Sequence, residues 1–119
     1  MIDYVCRTNY IDWLSLIEPG IDTSGIFVKP LKLEAGTGRP VSFLLKFEPG
    51  ASYPYHNHPK GEEILVLEGS CQIGSEVLGQ GDYLFTPPGF KHGVITSEGC
   101  VLFLMVPAEV EITTVDNRS

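Results

Sequence analysis

The sequence predicts an all-β domain, a sandwich or a barrel built from short strands. Thirteen glycines and nine prolines interrupt short apolar runs at close intervals, and frequent turn residues between such runs are typical of these folds. Hydrophobic residues make up 43% of the chain and charged residues 19%, which supplies a core and excludes a disordered chain. A chain of 119 residues has the size of one domain, so we expect residues 1–119 to fold as a unit.

Three strands are predicted before residue 50. Residues 10–17 favour a short strand over a helical turn, and Pro19 with Gly20 ends it. Residues 25–33 form a strand that Pro30 interrupts, which predicts an edge position or a bulge. Residues 41–47 alternate, with Val, Phe, Leu and Phe on one face and a lysine on the other.

The second half predicts a series of strands separated by glycine and proline turns. The run at residues 100–106 is apolar on both faces, which predicts a central strand covered on both sides. The strands predicted after residue 69 are residues 71–73, 77–78, 83–86, 92–96, 100–106 and 110–115.

Charge and hydropathy exclude several classes of function. The net charge is −7, from 8 basic and 15 acidic residues. Such a surface repels phosphate backbones, so we expect no nucleic-acid partner. No apolar run is long enough to cross a bilayer, and the first residues lack the basic and apolar regions of a signal peptide. We therefore expect a cytoplasmic protein without a membrane partner.

Three cysteines, Cys6, Cys71 and Cys100, are spread along the chain without a Cys-x-x-Cys pair. In a cytoplasmic protein, such residues are most simply reduced, buried and small hydrophobic side chains. A redox-sensing role for one of them is the alternative.

All three histidines of the chain fall in two turn-bounded segments. Residues 50–69 contain His56 and His58, followed by Glu62 and Glu63, and residues 81–93 contain His92. Neutral imidazole and carboxylate groups together suit divalent first-row metals. A histidine beside a strand is more often a surface or hydrogen-bonded residue, but the clustering of every histidine favours a metal site.

The spacing of these residues requires strands. His56 and His58 are two positions apart, which places both rings on one face of a strand. Prolines on both sides exclude a helix, and Pro59 with Gly61 then turns the chain. A glutamate follows at the start of the apolar run at residues 64–67. Neighbours in a strand point to opposite faces, so only one glutamate can join the histidines, and the apolar pattern alone does not decide which.

The two segments resemble the two conserved motifs of the cupin family. Residues 50–69 fit the first motif, with His56, His58, Glu62 and the closing Gly69, and residues 81–96 fit the second, with His92. Thr96 stands where that motif ends in asparagine, which in the family is structural. The resemblance implies a double-stranded β-helix (jelly-roll) barrel. By motif spacing, it also implies that the metal ligands are His56, His58, Glu62 and His92.

A closer resemblance is to the cupin domain of ChrR-type anti-sigma factors. It is carried by HPKGEEILVLEG at residues 58–69, FEPGAS at residues 47–52 and DWLSLIEPGI at residues 12–21. In that group a separate helical zinc domain holds the sigma factor, and since this sequence lacks it we expect no anti-sigma activity. Free-standing members resemble small metal-dependent dioxygenases that cleave diketone-like substrates.

The resemblance leaves several functions open, each with one divalent metal per chain: iron, zinc, manganese or nickel. The first hypothesis is a metal-dependent dioxygenase acting on a small diketone-like or enol substrate. The alternative is a non-enzymatic zinc sensor or small-molecule-binding module of the ChrR type. An isomerase or hydrolase acting on sugars or acids is the third.

Partners and pocket residues follow from the same resemblance. A small-molecule ligand and a homodimer are expected, with the Pro30 strand and the segment around Trp13 as contacts. Tyr53 and Tyr55 flank the histidine strand and are candidates to support a ligand, or surface residues. The candidates for apolar pocket lining, each with core packing as the alternative, are Phe43, Phe47, Phe85, Phe90 and Phe103.

Overall fold

The computed structural model describes residues 5–112 of the chain. This part is almost entirely β, and its only helical element is a 3-10 turn at Thr8–Tyr10. Its strands are β1 (Leu14–Ser15), β2 (Ile26–Leu33), β3 (Pro40–Phe47), β4 (Ser52–Asn57), β5 (Glu62–Ile73), β6 (Glu76–Gly79), β7 (Tyr83–Thr86), β8 (Lys91–Ile95), β9 (Cys100–Met105) and β10 (Glu111–Ile112).

The strands form a curled antiparallel jelly-roll barrel of two sheets. One sheet has the order β1-β2-β3-β9-β5-β7, and the other has the order β6-β5-β8-β4-β10. Strand β5 belongs to both, since its first half pairs with β7 and β9 and its second half pairs with β6 and β8. This confirms the all-β jelly-roll prediction.

Strand β5 passes from one sheet to the other at Gly69. The residue has a φ of +75°, and a Cβ there would lie 2.1 Å from the carbonyl oxygen of Gly99, so only glycine fits. Thr96 braces the same corner, because its hydroxyl donates to the Ser70 carbonyl at 2.7 Å and accepts from the Gly99 amide at 2.8 Å. The threonine in place of the motif asparagine therefore has a structural role.

The core lies between the two sheets and is formed by inward-facing side chains of alternating residues. In β9, Cys100, Leu102 and Leu104 are buried and the residues between them are half-buried. Strand β9 lies between β3 and β5, so the prediction of a central strand is confirmed, with its outer face less covered than expected. The most deeply buried apolar side chains are Ile26, Phe47, Ile64, Val66 and Leu102.

The N-terminal segment departs from its predicted strand. Residues 10–17 contain only the end of the 3-10 turn and the two-residue strand β1. Trp13 lies instead against the outer face of β2 and β3, with the ammonium groups of Lys29 and Lys46 at 4.7 and 5.1 Å from the ring centroid. Both ammonium groups lie within the range of a cation–π interaction.

Three smaller expectations can be compared with the structure. Pro30 lies at a register shift between β2 and β3, so the predicted bulge is confirmed. Of the strand predicted at residues 110–115, Glu111 and Ile112 pair with β4, and residues 113–115 lie outside the described residues. Cys71 and Cys100 are buried as expected, but Cys6 is exposed, so the expectation of burial was wrong for Cys6.

Within residues 5–112, no helix is long and apolar enough to cross a membrane.

Candidate metal centre

Four ionisable side chains converge inside the barrel. One ligand atom from each of the four lies within 4.8 Å of the others, and the ring centroids of His56 and His58 are 4.5 Å apart. Each of these residues is at most 8% exposed. A buried cluster of polar groups in an apolar core is costly unless the groups bind something or one another. The residues are His56, His58, Glu62 and His92.

The backbone explains why these residues meet. His56 in β4 lies directly opposite His92 in β8, so both rings point to the same face. His58 follows the end of β4, and Glu62 is the first residue of β5. The connecting turn is closed by the Gly61 amide, which donates to the His58 carbonyl at 3.0 Å. The two motifs therefore meet through strand pairing.

Glu62 faces the interior and Glu63 faces outward, which confirms the register that places Glu62 with the histidines. Glu62 is 3% exposed, and its Oε1 accepts a hydrogen bond from the buried Thr86 hydroxyl at 3.2 Å. Glu63 is half-buried and accepts a hydrogen bond from the Tyr83 hydroxyl at 2.7 Å. The role of Glu62 as a metal ligand stays a prediction.

The ring of His56 is held in a defined orientation. Its Nδ1 lies 2.7 Å from the Pro54 carbonyl oxygen, an acceptor that requires Nδ1 to carry the proton. Burial lowers the pKa of His56 to about 4, despite that hydrogen bond. The neutral ring then presents the lone pair of Nε2 to the cluster, which is the form that binds a metal.

The donor set fits a divalent metal. The Nε2 atoms of His58 and His92 lie 2.9 and 3.0 Å from the Glu62 carboxylate oxygens, yet neither is aligned to make a hydrogen bond and both are buried. The atoms therefore point toward a shared centre instead of toward one another. Burial would raise the pKa of Glu62, but the two imidazoles outweigh it and lower the pKa to about 2. The cluster thus offers one carboxylate and three imidazoles. These four side chains could together hold a metal ion.

The cluster opens into an apolar cavity of about 280 Å³. His56, His58 and Glu62 form part of its wall. Most of the remaining wall is apolar, which is the usual composition of a small-molecule site. Its apolar lining includes Leu16, Val28, Phe43, Leu45, Phe47, Ile64, Val94, Leu102, Leu104 and Val106.

The aromatic candidates divide between the cavity and the surface. Phe43 and Phe47 line the cavity as expected. Phe85 and Phe90 are 55% and 65% exposed, and Phe103 is half-buried on the outer face of β9, so the expectation for these three was wrong. Phe85 and Phe103 lie on outward-facing positions of their strands, which aromatic composition does not reveal.

Tyr53 contacts the cluster, whereas Tyr55 is not part of the cavity wall. The Tyr53 ring meets the His56 ring edge-on, with centroids 4.9 Å apart. Its hydroxyl donates a hydrogen bond to the Glu18 carboxylate. Burial, followed by that hydrogen bond, raises the pKa of Tyr53, so the hydroxyl keeps its proton.

Sequence reasoning missed two residues next to the cluster. Thr86 supports Glu62, and its position opposite Glu62 in the β5–β7 pairing follows from a register that the sequence does not show. Glu18 reaches the cavity from the loop between β1 and β2, far from either motif. It lies in the segment at residues 12–21 that carries part of the ChrR-type resemblance, but that resemblance assigned Glu18 no role.

A jelly-roll barrel with three histidines and one glutamate converging on its interior defines the class of protein as a cupin. Within that class, the chain belongs to the family described as the ChrR Cupin-like domain, whose model matches residues 2–108.

Several known proteins are similar to this chain. The polyketide cyclase RemF from Streptomyces resistomycificus is 26% identical with a TM-score of 0.74, covering 98% of this chain and 89% of its own. A protein from Methylibium petroleiphilum PM1 described as a putative acetylacetone dioxygenase has a TM-score of 0.83 at 14% identity. The match covers 99% of this chain and 85% of that protein, and at this identity it shows the fold alone. The DNA damage-repair/toleration protein DRT102 from Arabidopsis thaliana is 32% identical over 71 residues. That match covers 55% of this chain and only 23% of DRT102.

Proposed function

We propose that this protein is a metal-dependent enzyme that acts on a small, mostly apolar 1,3-dicarbonyl or enol compound, as a dioxygenase that cleaves the carbon skeleton. The observation that carries the proposal is the opening of the His/Glu cluster into an apolar cavity of about 280 Å³. A closed structural site would have no such space. The likeness to a polyketide cyclase over nearly the whole of both chains supports substrates with repeated carbonyl groups.

The residues of the chain have separate tasks in this proposal. His56, His58, Glu62 and His92 would hold one divalent metal, which when bound supplies Lewis acidity toward a carbonyl oxygen and redox chemistry with dioxygen. The apolar wall, including Phe43 and Phe47, binds the carbon skeleton of the substrate and excludes water. Thr86 keeps the Glu62 carboxylate in place.

Oxygen consumption with iron-loaded protein and a series of 1,3-diketones tests the proposal. We expect consumption of one dioxygen per diketone cleaved, with both oxygen atoms found in the products by isotope labelling. His92→Ala should abolish consumption while the β-rich circular dichroism spectrum is kept. Tight binding of diketones without any consumption by iron-, manganese- or nickel-loaded protein would contradict enzymatic turnover.

A second candidate function is a non-enzymatic zinc-binding or small-molecule-binding sensor module. The family description favours it, because the matching model is that of the ChrR Cupin-like domain. In this case zinc-loaded protein binds a small molecule in the same cavity without converting it. Metal content of protein from its natural source distinguishes the two, since zinc alone favours the sensor and iron favours the oxygenase.

We also propose that the protein is a homodimer, with the β2 strand and the segment around Trp13 in the contact. Several large apolar side chains are exposed on the outer face of the sheet that contains β2. Leu65 pairs with Tyr83 on this face, and they are 36% and 57% exposed. Contact with a second copy would cover such side chains.

A further inference from the structure

Two carboxylates of the cavity wall, those of Glu18 and Glu109, lie outside the His/Glu cluster. Glu18 is half-buried in the loop between β1 and β2 and lines the cavity together with His56 and His58. Its Oε1 accepts a hydrogen bond from Tyr53, whose ring in turn rests edge-on against His56. Glu18 is therefore connected to the cluster through a single side chain.

The other charged residues of the cavity wall are less suited to act on a bound molecule. Arg39 is engaged elsewhere, since its guanidinium donates to the carbonyl oxygens of Val106 and Pro107 at 3.0 and 2.8 Å. Glu109 is exposed. Glu62 faces two imidazole nitrogens at about hydrogen-bond distance. Among the carboxylates of the described cavity wall, Glu18 is thus the one that is half-buried and lies outside the cluster.

We propose that Glu18 is the catalytic base that takes the acidic C–H proton of a 1,3-dicarbonyl substrate, an inference that rests on the proposed function. The C–H bond breaks and an O–H bond forms at Glu18 Oε2, because Oε1 is occupied by the Tyr53 hydroxyl. The C–H electron pair becomes the π bond of the enolate, whose negative charge resides on the carbonyl oxygens. The carboxylate becomes neutral, so the total charge is unchanged.

Tyr53 is a positioning residue in this step. By donating to Glu18 it fixes the carboxylate against the cavity, and its ring contact with His56 fixes the distance between the base and the cluster. A positioned carboxylate typically accelerates proton transfer by about 10²–10⁴-fold. Glu18 lies outside the two motifs that carry the cluster, whereas Tyr53 lies within the first of them.

Zinc-loaded protein mixed with 1-phenyl-1,3-butanedione tests the inference, because zinc has no redox chemistry with dioxygen. The first readout is the rate at which the ultraviolet band of the enolate appears. The second is infrared difference spectroscopy, in which a newly protonated carboxyl group shows its C=O stretch. Glu18→Gln keeps a hydrogen-bond acceptor for Tyr53 but cannot take the proton. Glu76→Gln, at an exposed position in β6, is the charge-matched control.

We expect Glu18→Gln to lose the carboxyl C=O band and to form the enolate at least about a hundredfold more slowly, with zinc affinity unchanged. Glu76→Gln should match the wild type, and Tyr53→Phe should slow the reaction but keep the band. A Glu18→Gln variant with a normal rate or with the band intact overturns the role of Glu18. An unchanged rate in Tyr53→Phe overturns the positioning role. Failure of the wild-type protein to bind the diketone at all would instead contradict the proposed function.

Discussion

At the scale of single residues, the cluster depends on its one anionic group. Glu62 faces the Nε2 atoms of two imidazoles within 3.0 Å. The neighbouring Glu63 points away and accepts a hydrogen bond from the Tyr83 hydroxyl. The two glutamates therefore form a natural pair of test and control, equal in charge and adjacent in the chain.

Replacing Glu62 by Gln should weaken metal binding by at least about tenfold, the scale of changes around metal ligands. The reason is that the substitution removes the carboxylate that lies among the three imidazoles. Isothermal titration with zinc measures the affinity. Glu63→Gln should stay within a few-fold of wild type, and the reverse ranking would show that the carboxylate ligand has been misassigned.

Thr86→Val should also weaken metal binding, by about tenfold, because it removes the hydroxyl that donates to Glu62 Oε1 at 3.2 Å. Valine has nearly the same shape, so packing around this buried position should change little. The same titration measures the effect. Thr37→Val, in an exposed turn, is the control, and equal affinities of the two variants would contradict a supporting role for Thr86.

The residues that sequence could identify are those with a repeated spacing. His56 and His58 share a strand face by their separation alone, and the rarity of histidine directs attention to His92. Thr86 and Glu18 could not be found in this way, because they reach the site through strand pairing and a loop conformation. Such contacts depend on tertiary packing, which a pattern of residue types does not encode.

At the scale of elements, the turn between β4 and β5 determines where Glu62 lies. Gly61 has a φ of +81°, and a Cβ there would lie 2.7 Å from the Thr86 carbonyl oxygen. Gly36 has a similar φ of +89° with no atom near its Cβ position. The two glycines share a left-handed backbone conformation, in which an alanine would be strained, but they differ in steric contact.

Gly61→Ala should therefore destabilise the protein more than Gly36→Ala, whose cost is on the order of 1 kcal/mol for a left-handed alanine. It should also weaken zinc binding, because the clash displaces the start of β5 and with it Glu62. Thermal unfolding and zinc titration of both variants measure these effects. Equal stability and equal affinity of the two variants would show that the close approach at Gly61 does not position the site.

The elements were predictable where local pattern and tertiary environment agree. Strands β2, β3, β7 and β9 follow their apolar runs within one or two residues. The strand predicted at residues 10–17 was wrong for most of its length, because Trp13 there contacts two lysines, a tertiary arrangement that the local apolar pattern does not show. Strand β5 runs unbroken through Gly69, since the glycine there bends a strand instead of ending it.

At the scale of the whole molecule, the outer face of the sheet around β5 and β9 leaves apolar side chains at the surface. Light scattering at micromolar concentration should give twice the 13.1 kDa of one chain, because a second copy can cover them. Replacing Trp13 by Glu should shift the protein toward the monomer, and Val77→Glu, at the exposed hairpin, should not. A wild-type mass of one chain would contradict the dimer.

The most direct measurement for the account as a whole is the metal content of untagged protein, followed by metal titration of His56→Ala. The account predicts about one divalent metal ion per chain, and a large loss of affinity in the variant. The loss is expected because the alanine removes one of four convergent donors. Metal-free wild-type protein, together with a His56→Ala variant whose affinity for added metal is unchanged, would contradict it.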